Sequence, residues 1–187
     1  MIKNLILLIV GQSGAGKTYL SKKLSMVIGC PLLIFSEIGA AFGKEKYNCS
    51  SFAECFNLPN SDEFINELNY FIYSYILEKF LCLHGNVIVI DGLVSIGAIR
   101  LLKSECIDVK IFYLNTPYEL RIERIMKRLG CSHKEAEVEE QIKFSRKNRL
   151  GIDEAIKIAD HRLDGSKQID DILDYFFNEI KICKVNI

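Results

Sequence analysis

The octet GQSGAGKT at residues 11–18 has the residue types and spacing to hold a chain of phosphates. Gly11, Gly14 and Gly16 carry no Cβ, so backbone N–H groups can turn inward and approach an anion closely. Ser13 and Ala15 complete the cradle between them. Lys17 can reach the outer phosphates with its ammonium, and the Thr18 hydroxyl suits Mg²⁺, which prefers oxygen ligands. The apolar run Leu5–Val10 precedes the octet and a helical pattern follows it. A helix N-terminus beyond the loop adds partial positive charge.

Other residues suit the same chemistry. Asp91, followed by Gly92, ends an apolar run, and a carboxylate there can hold Mg²⁺ or its water beside Thr18. An ordinary Asp-Gly turn would look the same. Arg121, Arg124 and Arg128 share one helical stripe. Phosphoryl transfer spreads negative charge over oxygens that guanidinium forks pair well. Arg124 and Arg128 are the candidates for that role, while Arg121 and Lys127 read better as a solvated basic face. Arg146 and Arg149 are later candidates for the phosphate site. The turn Asp164-Gly165-Ser166 can offer backbone groups to an adenine ring, or can simply connect a strand to a helix.

These residues need a scaffold. Continuous apolar runs at 5–10, 32–35, 87–90 and 109–114 predict strands buried on both faces, as in a parallel sheet. A fifth short strand is expected at 161–163. Phe64, Leu68, Phe71, Ile72, Tyr75, Ile76 and Phe80 recur at helical spacing within 62–83, with Gly85 just beyond. Thr116, Pro117 and Glu119 read as an N-cap, a first helical proline and a reciprocal glutamate; Ser132 and Glu135 form a second capping box. A closing helix is expected over 169–182. Alternating strands and helices predict an α/β fold, a three-layer doubly wound parallel sheet of about five strands. The reading is one domain over 1–187, with a helical lid at 129–150 and a loop-rich substrate side at 39–60. Closure of such a lid would exclude water.

Composition narrows the partners. Lys plus Arg and Asp plus Glu both number 24, so no global field favours nucleic acid or an anionic membrane. The seven cysteines form no C-x-x-C pair, which speaks against a zinc ribbon and for a reduced, cytoplasmic compartment. Cys131 and His133 are too few for a zinc-bound lid. The apolar N-terminal run is short and ends in the phosphate loop, so a buried strand explains it better than a signal peptide.

The octet, Asp91-Gly92 and the arginine-bearing lid resemble the nucleotide and nucleoside-monophosphate kinase branch of P-loop proteins. Pro117, Glu119, Arg121, Arg124 and Arg128 match P-x-E-x-R-x-x-R-x-x-x-R. With Ser132, Glu135, Gln141 and the ending at Asp160 to Ser166, the second half is most similar to dephospho-coenzyme A kinases and related archaeal-type kinase-like proteins. The resemblance implies an Mg²⁺·ATP-dependent kinase that passes the γ-phosphoryl group to a nucleotide-like small molecule. Dephospho-coenzyme A is the leading acceptor, and a nucleoside or deoxynucleoside monophosphate the alternative. A P-loop ATPase or nucleotide switch acting on a protein partner is the rival class. Within that family pattern Ser36 and Glu37 stand where D-x-D-x-I is expected, and Val94 stands where several monophosphate kinases carry arginine. Ser36, Glu37 and Gly92 are therefore the substrate-side candidates.

Overall fold

The computed structural model describes residues 5–82, 87–105 and 107–180. Strands β1 (Leu5–Val10), β2 (Leu32–Ile34), β3 (Val87–Asp91), β4 (Asp108–Asn115) and β5 (His161–Asp164) form one parallel sheet in the order β2-β3-β1-β4-β5. The central strand shows why the apolar run is continuous. Ile6, Leu8 and Val10 enter one core, and Leu5, Leu7 and Ile9 enter the other, as the two-residue period of a strand requires.

Helices α1 (Lys17–Ile28), α2 (Phe35–Tyr47), α3 (Ser61–Cys82), α4 (Ile96–Ser104), α5 (Tyr118–Leu129), α6 (His133–Leu150), α7 (Ile152–Lys157) and α8 (Ile169–Ile180) complete the described chain, with a 3-10 turn at Glu54–Asn57. Residues of α2, α3, α4 and α7 fill one core, and those of α1 and α8 fill the other. The three-layer α/β fold expected from the sequence is present. In α3 the residues at four-position spacing, Phe64, Leu68, Ile72, Ile76 and Phe80, are buried, and Phe71 and Tyr75 between them are half-buried. No helix among the described residues is long and apolar enough to cross a membrane.

Some local expectations differ. Phe35 opens α2 instead of ending a strand, and Gly39 to Tyr47 is helix, not loop. Phe35, Ile38 and Phe42 carry a helical period, but Gly39 and Gly43 weaken it because glycine is a poor helix former. Tertiary packing explains both glycines. A Cβ at Gly39 would stand 2.5 Å from the Phe52 ring, and one at Gly43 would strike Cys55 Sγ. Thr116 does not cap α5 either: Pro117 is the N-cap residue, without a side-chain cap bond, and the Thr116 hydroxyl donates to Ala15 O at 3.0 Å. The capping box of Ser132 and Glu135 forms as expected. Gly85, Cys106, Cys183 and the last residues expected for α3 and α8 lie outside the described residues. Cys30, Cys49, Cys55, Cys82 and Cys131 are free thiols.

Candidate active site

The chain leaves β1 towards β2 and leaves β3 towards β4, on opposite sides, although β1 and β3 are neighbours. Ligands bind in the crevice such a reversal opens at the strand carboxyl ends. The 11–18 loop follows β1 there, and Asp91 ends β3 opposite Ile9. Gly92 N–H donates to Ile9 O at 2.9 Å and ties the two ends together.

Thr18 Oγ1 donates to Asp91 Oδ2 at 2.5 Å. Asp91 is only 4% exposed, and its Oδ1 is buried with no hydrogen-bond partner. An orphaned carboxylate oxygen in a crevice is costly unless a ligand, cation or ordered water meets it. Lys17 Nζ donates to Gln12 O at 3.0 Å, and burial holds its pKa below the usual ammonium range, partly offset by Asp91.

Helix α5 packs directly on the loop. Gly14 has φ +75°, and a Cβ there would collide with the Arg121 carbonyl. Arg124 Nη1 donates to Ala15 O at 3.0 Å and its Nη2 to Gly165 O at 3.1 Å. Arg121 Nη1 donates to Ser13 O at 3.2 Å and pairs with Glu140 Oε1 at 2.5 Å. The sequence reading of Arg121 as a solvated residue is therefore corrected: its side chain is 11% exposed and grips the loop.

From α6, Lys147 Nζ donates to Gly11 O at 2.8 Å. Burial, then the adjoining Lys17 charge, pushes its pKa well below the ordinary value. Sequence reasoning missed Lys147, because nothing in its local pattern sets it apart from the other lysines of α6. Arg128 is exposed, and its charge still reaches Lys17. Arg149 is not at the phosphate loop. It donates to Phe56 O at 2.9 Å and Ser61 Oγ at 2.7 Å, pinning the segment before α3 to α6.

Two cavities flank the loop. A cleft of about 430 Å³ holds Lys17, Thr18, Asp91 and Gly92 at one end. Ser36, Phe35, Phe52, Phe56 and Val94 wall it, and Lys143, Arg146 and Lys147 project from α6. Glu37 is exposed and outside that lining, because α2 carries it past the cleft. On the other flank, a cavity of about 350 Å³ is lined by Gly16, Tyr19, Arg124, Gly165, Lys167 and Ile169, among others. Arg124 thus faces this second cavity and not the cleft, a correction to its expected place at the transferring charge. Asp164 shapes the adjacent turn: its Oδ1 accepts from Ser166 N at 3.0 Å and from Ser166 Oγ at 2.6 Å. Among the described residues no group of three or more His, Cys, Asp or Glu can hold a metal ion. His133 instead lies 3.5 Å from Glu137 and 3.9 Å from Glu119.

A cytidylate kinase from Pyrobaculum calidifontis is 30% identical over 153 residues, covering 79% of this chain and 74% of that protein. The chain belongs to the P-loop nucleoside-monophosphate-kinase-like superfamily. No family model matches it. The fold agrees with solved structures, a kinase among them. A shikimate kinase from Aquifex aeolicus superimposes with a TM-score of 0.55 at 16% identity, over 94% of this chain and 96% of that one. TT1252 from Thermus thermophilus gives 0.67 at 16% identity, over 96% and 98%. As a P-loop kinase-like protein the chain is an ATP-dependent phosphotransferase.

Proposed function

We propose that this chain transfers the γ-phosphoryl group of Mg²⁺·ATP to a nucleoside monophosphate, with a pyrimidine monophosphate such as CMP the first candidate. The observation that carries this reading is the charge of the cleft. Lys17, Lys143, Arg146 and Lys147 line it, and Asp91 is the one carboxylate among its described lining residues. A lining of that sign suits an acceptor that is itself an anion. An acceptor hydroxyl, as in dephospho-coenzyme A, benefits from a carboxylate base. In this reading Asp91, with Thr18, serves the metal, and Glu37 is outside the cleft. The similarity to a cytidylate kinase supports the same choice.

The donor base fits the second cavity. Two carbonyls hold the Arg124 guanidinium by its edges, which leaves a planar face for stacking on adenine. Gly165 and the Asp164–Ser166 turn close that side. The triphosphate would lie along residues 11–18, with Lys17 and Lys147 exchanging their loop carbonyls for phosphate oxygens. Mg²⁺ fits the donor set present: the Thr18 hydroxyl and the Asp91 carboxylate with its unpartnered Oδ1, the remaining ligands being water and phosphate. When bound, Mg²⁺ neutralises charge on the β- and γ-phosphates. The aromatic wall of Phe35, Phe52 and Phe56 offers an apolar surface to the acceptor's base.

The test is ADP formation by the purified chain with CMP, dCMP, UMP, AMP, GMP and dephospho-coenzyme A, with products identified by mass. Strong stimulation by a monophosphate and appearance of its diphosphate is expected. Stimulation by dephospho-coenzyme A alone would replace the acceptor. Acceptor-independent turnover would make the chain an ATPase or switch.

A further inference from the structure

We propose that the buried Arg121–Glu140 pair is a positioning device that holds Lys147 of α6 in the phosphate loop, where Lys147 acts beside Lys17 on the transferring phosphoryl group. The inference rests on the phosphotransfer reading above and assigns roles to three residues that reading leaves open.

Arg121 and Glu140 are 11% and 8% exposed at their side chains. A buried ion pair is a weak device for stability, because desolvation offsets its attraction and apolar side chains would pack as well. Its worth lies in geometry. Arg121 Nη1 meets both Glu140 on α6 and Ser13 O in the loop, so one guanidinium fixes α6 relative to the phosphate cradle. Lys147 lies seven residues beyond Glu140, two helical turns on and on the same face. That spacing delivers its ammonium to Gly11 O.

The rest of the α5–α6 contact cannot set this register alone. Its apolar part is small: Ile122, Ile125 and Ala136, with Met126 and Cys131 packed beside them. Those residues join the helices near their connecting turn. Arg149 and Leu150 anchor the far end of α6 to the acceptor side and the core. Besides Lys147's own bond to Gly11 O and the exposed Tyr118–Glu137 hydrogen bond, the Arg121–Glu140 pair is the buried side-chain link through which α6 meets the phosphate loop. Charge on Lys17 disfavours charge on Lys147 beside it, so Lys147 needs a fixed backbone to stay there until a phosphate replaces the carbonyls.

The experiment compares wild type, Glu140→Gln, Lys147→Met and the double variant, with CMP and ATP as substrates. Glu140→Gln keeps size and hydrogen bonding but removes the charge. Each single variant should lower kcat by about 10–100-fold, the scale on which small misplacements tell, with the KM for ATP nearly unchanged. The double variant should be no slower than Lys147→Met, because Glu140 acts through Lys147. Multiplicative losses would overturn the proposal. The apolar pair Arg121→Met with Glu140→Met separates packing from position: a normal melting temperature with low kcat supports the device, and full recovery of kcat overturns it. Glu140→Asp serves where the other variants fail to fold, and the same non-additivity with Lys147→Met is required of it. A readout independent of turnover is the rate at which an amine-reactive reagent labels Lys147, followed by peptide mass spectrometry. Labelling should be several-fold faster in Glu140→Asp, which keeps the carboxylate charge but shortens its reach, than in wild type, and equal rates would overturn the assignment. Should wild type phosphorylate no monophosphate, the labelling arm still decides whether the pair holds Lys147, so the two readings fail separately.

Discussion

Thr18 and Asp91 lie 73 positions apart, yet the Thr18 hydroxyl donates to Asp91 Oδ2 at 2.5 Å. The contact joins the start of α1 to the end of β3 and leaves the other carboxylate oxygen buried and unpartnered. Asp91→Asn keeps an acceptor for Thr18 and removes the charge. Its kcat should fall by about 10²–10³-fold, comparable with loss of a preorganised charge-stabilising group. Its Mg²⁺ requirement should shift to higher concentration. Initial rates across a Mg²⁺ titration measure both, and a variant with unchanged dependence would remove Asp91 from the metal site.

Lys17→Ala should lower turnover by about 10³-fold or more, as expected when a charge on the transferring group is lost. Its circular dichroism should match wild type, because the Lys17 ammonium bonds a carbonyl of the phosphate loop and belongs to neither apolar core. Near-normal phosphorylation would contradict the assignment.

Arg124 and Arg128 should separate kinetically. Arg124→Lys keeps the charge but loses the fork that joins Ala15 O to Gly165 O, so the KM for ATP should rise about tenfold with kcat little changed. Arg128→Ala should lower kcat more than it raises that KM, since the Arg128 charge is felt at Lys17 and Arg128 is outside the lining of the second cavity. The reverse pattern would return Arg124 to the reacting centre.

Gly14→Ala tests the seating of α5. It combines a left-handed backbone at φ +75° with a Cβ aimed at the Arg121 carbonyl. A loss of about 2–4 kcal/mol is expected from strain and overlap together, read by urea denaturation. A neutral effect would show that α5 can move off the loop at little cost.

The pH dependence of stability follows from the two lysines. Both have folded pKa values below the ordinary 10.5, so the unfolded chain binds more protons across that interval. Stability should therefore rise as pH increases from each depressed value towards 10.5, and the penalty is fully present below it. Melting temperatures from pH 7 to 9.5 should climb more for wild type than for Lys147→Met. Bound triphosphate should flatten the difference, because it favours both charged forms. Equal slopes without ligand would place Lys147 in a less buried setting.

The phosphate loop, the parallel strands and the long α3 were legible in the sequence because each is a local pattern. GQSGAGKT carries its chemistry in its own backbone, and the apolar runs and helical spacings need no partner to be read. What the tertiary structure decided is which distant residues share the site. Thr116 was read as a helix cap and instead tethers Ala15 O. Gly39 and Gly43 read as loop, because the rings and thiol that pack against them lie on another segment. Arg121, Arg124 and Arg128 look alike on one helical stripe. Only the packing of α5 on the loop sends one to Ser13 and Glu140, one to the second cavity and one to solvent. Lys147 carried no motif at all. Its place beside Lys17 comes from how α6 folds back over the loop, since burial and charge proximity depend on through-space distances that sequence separation does not encode.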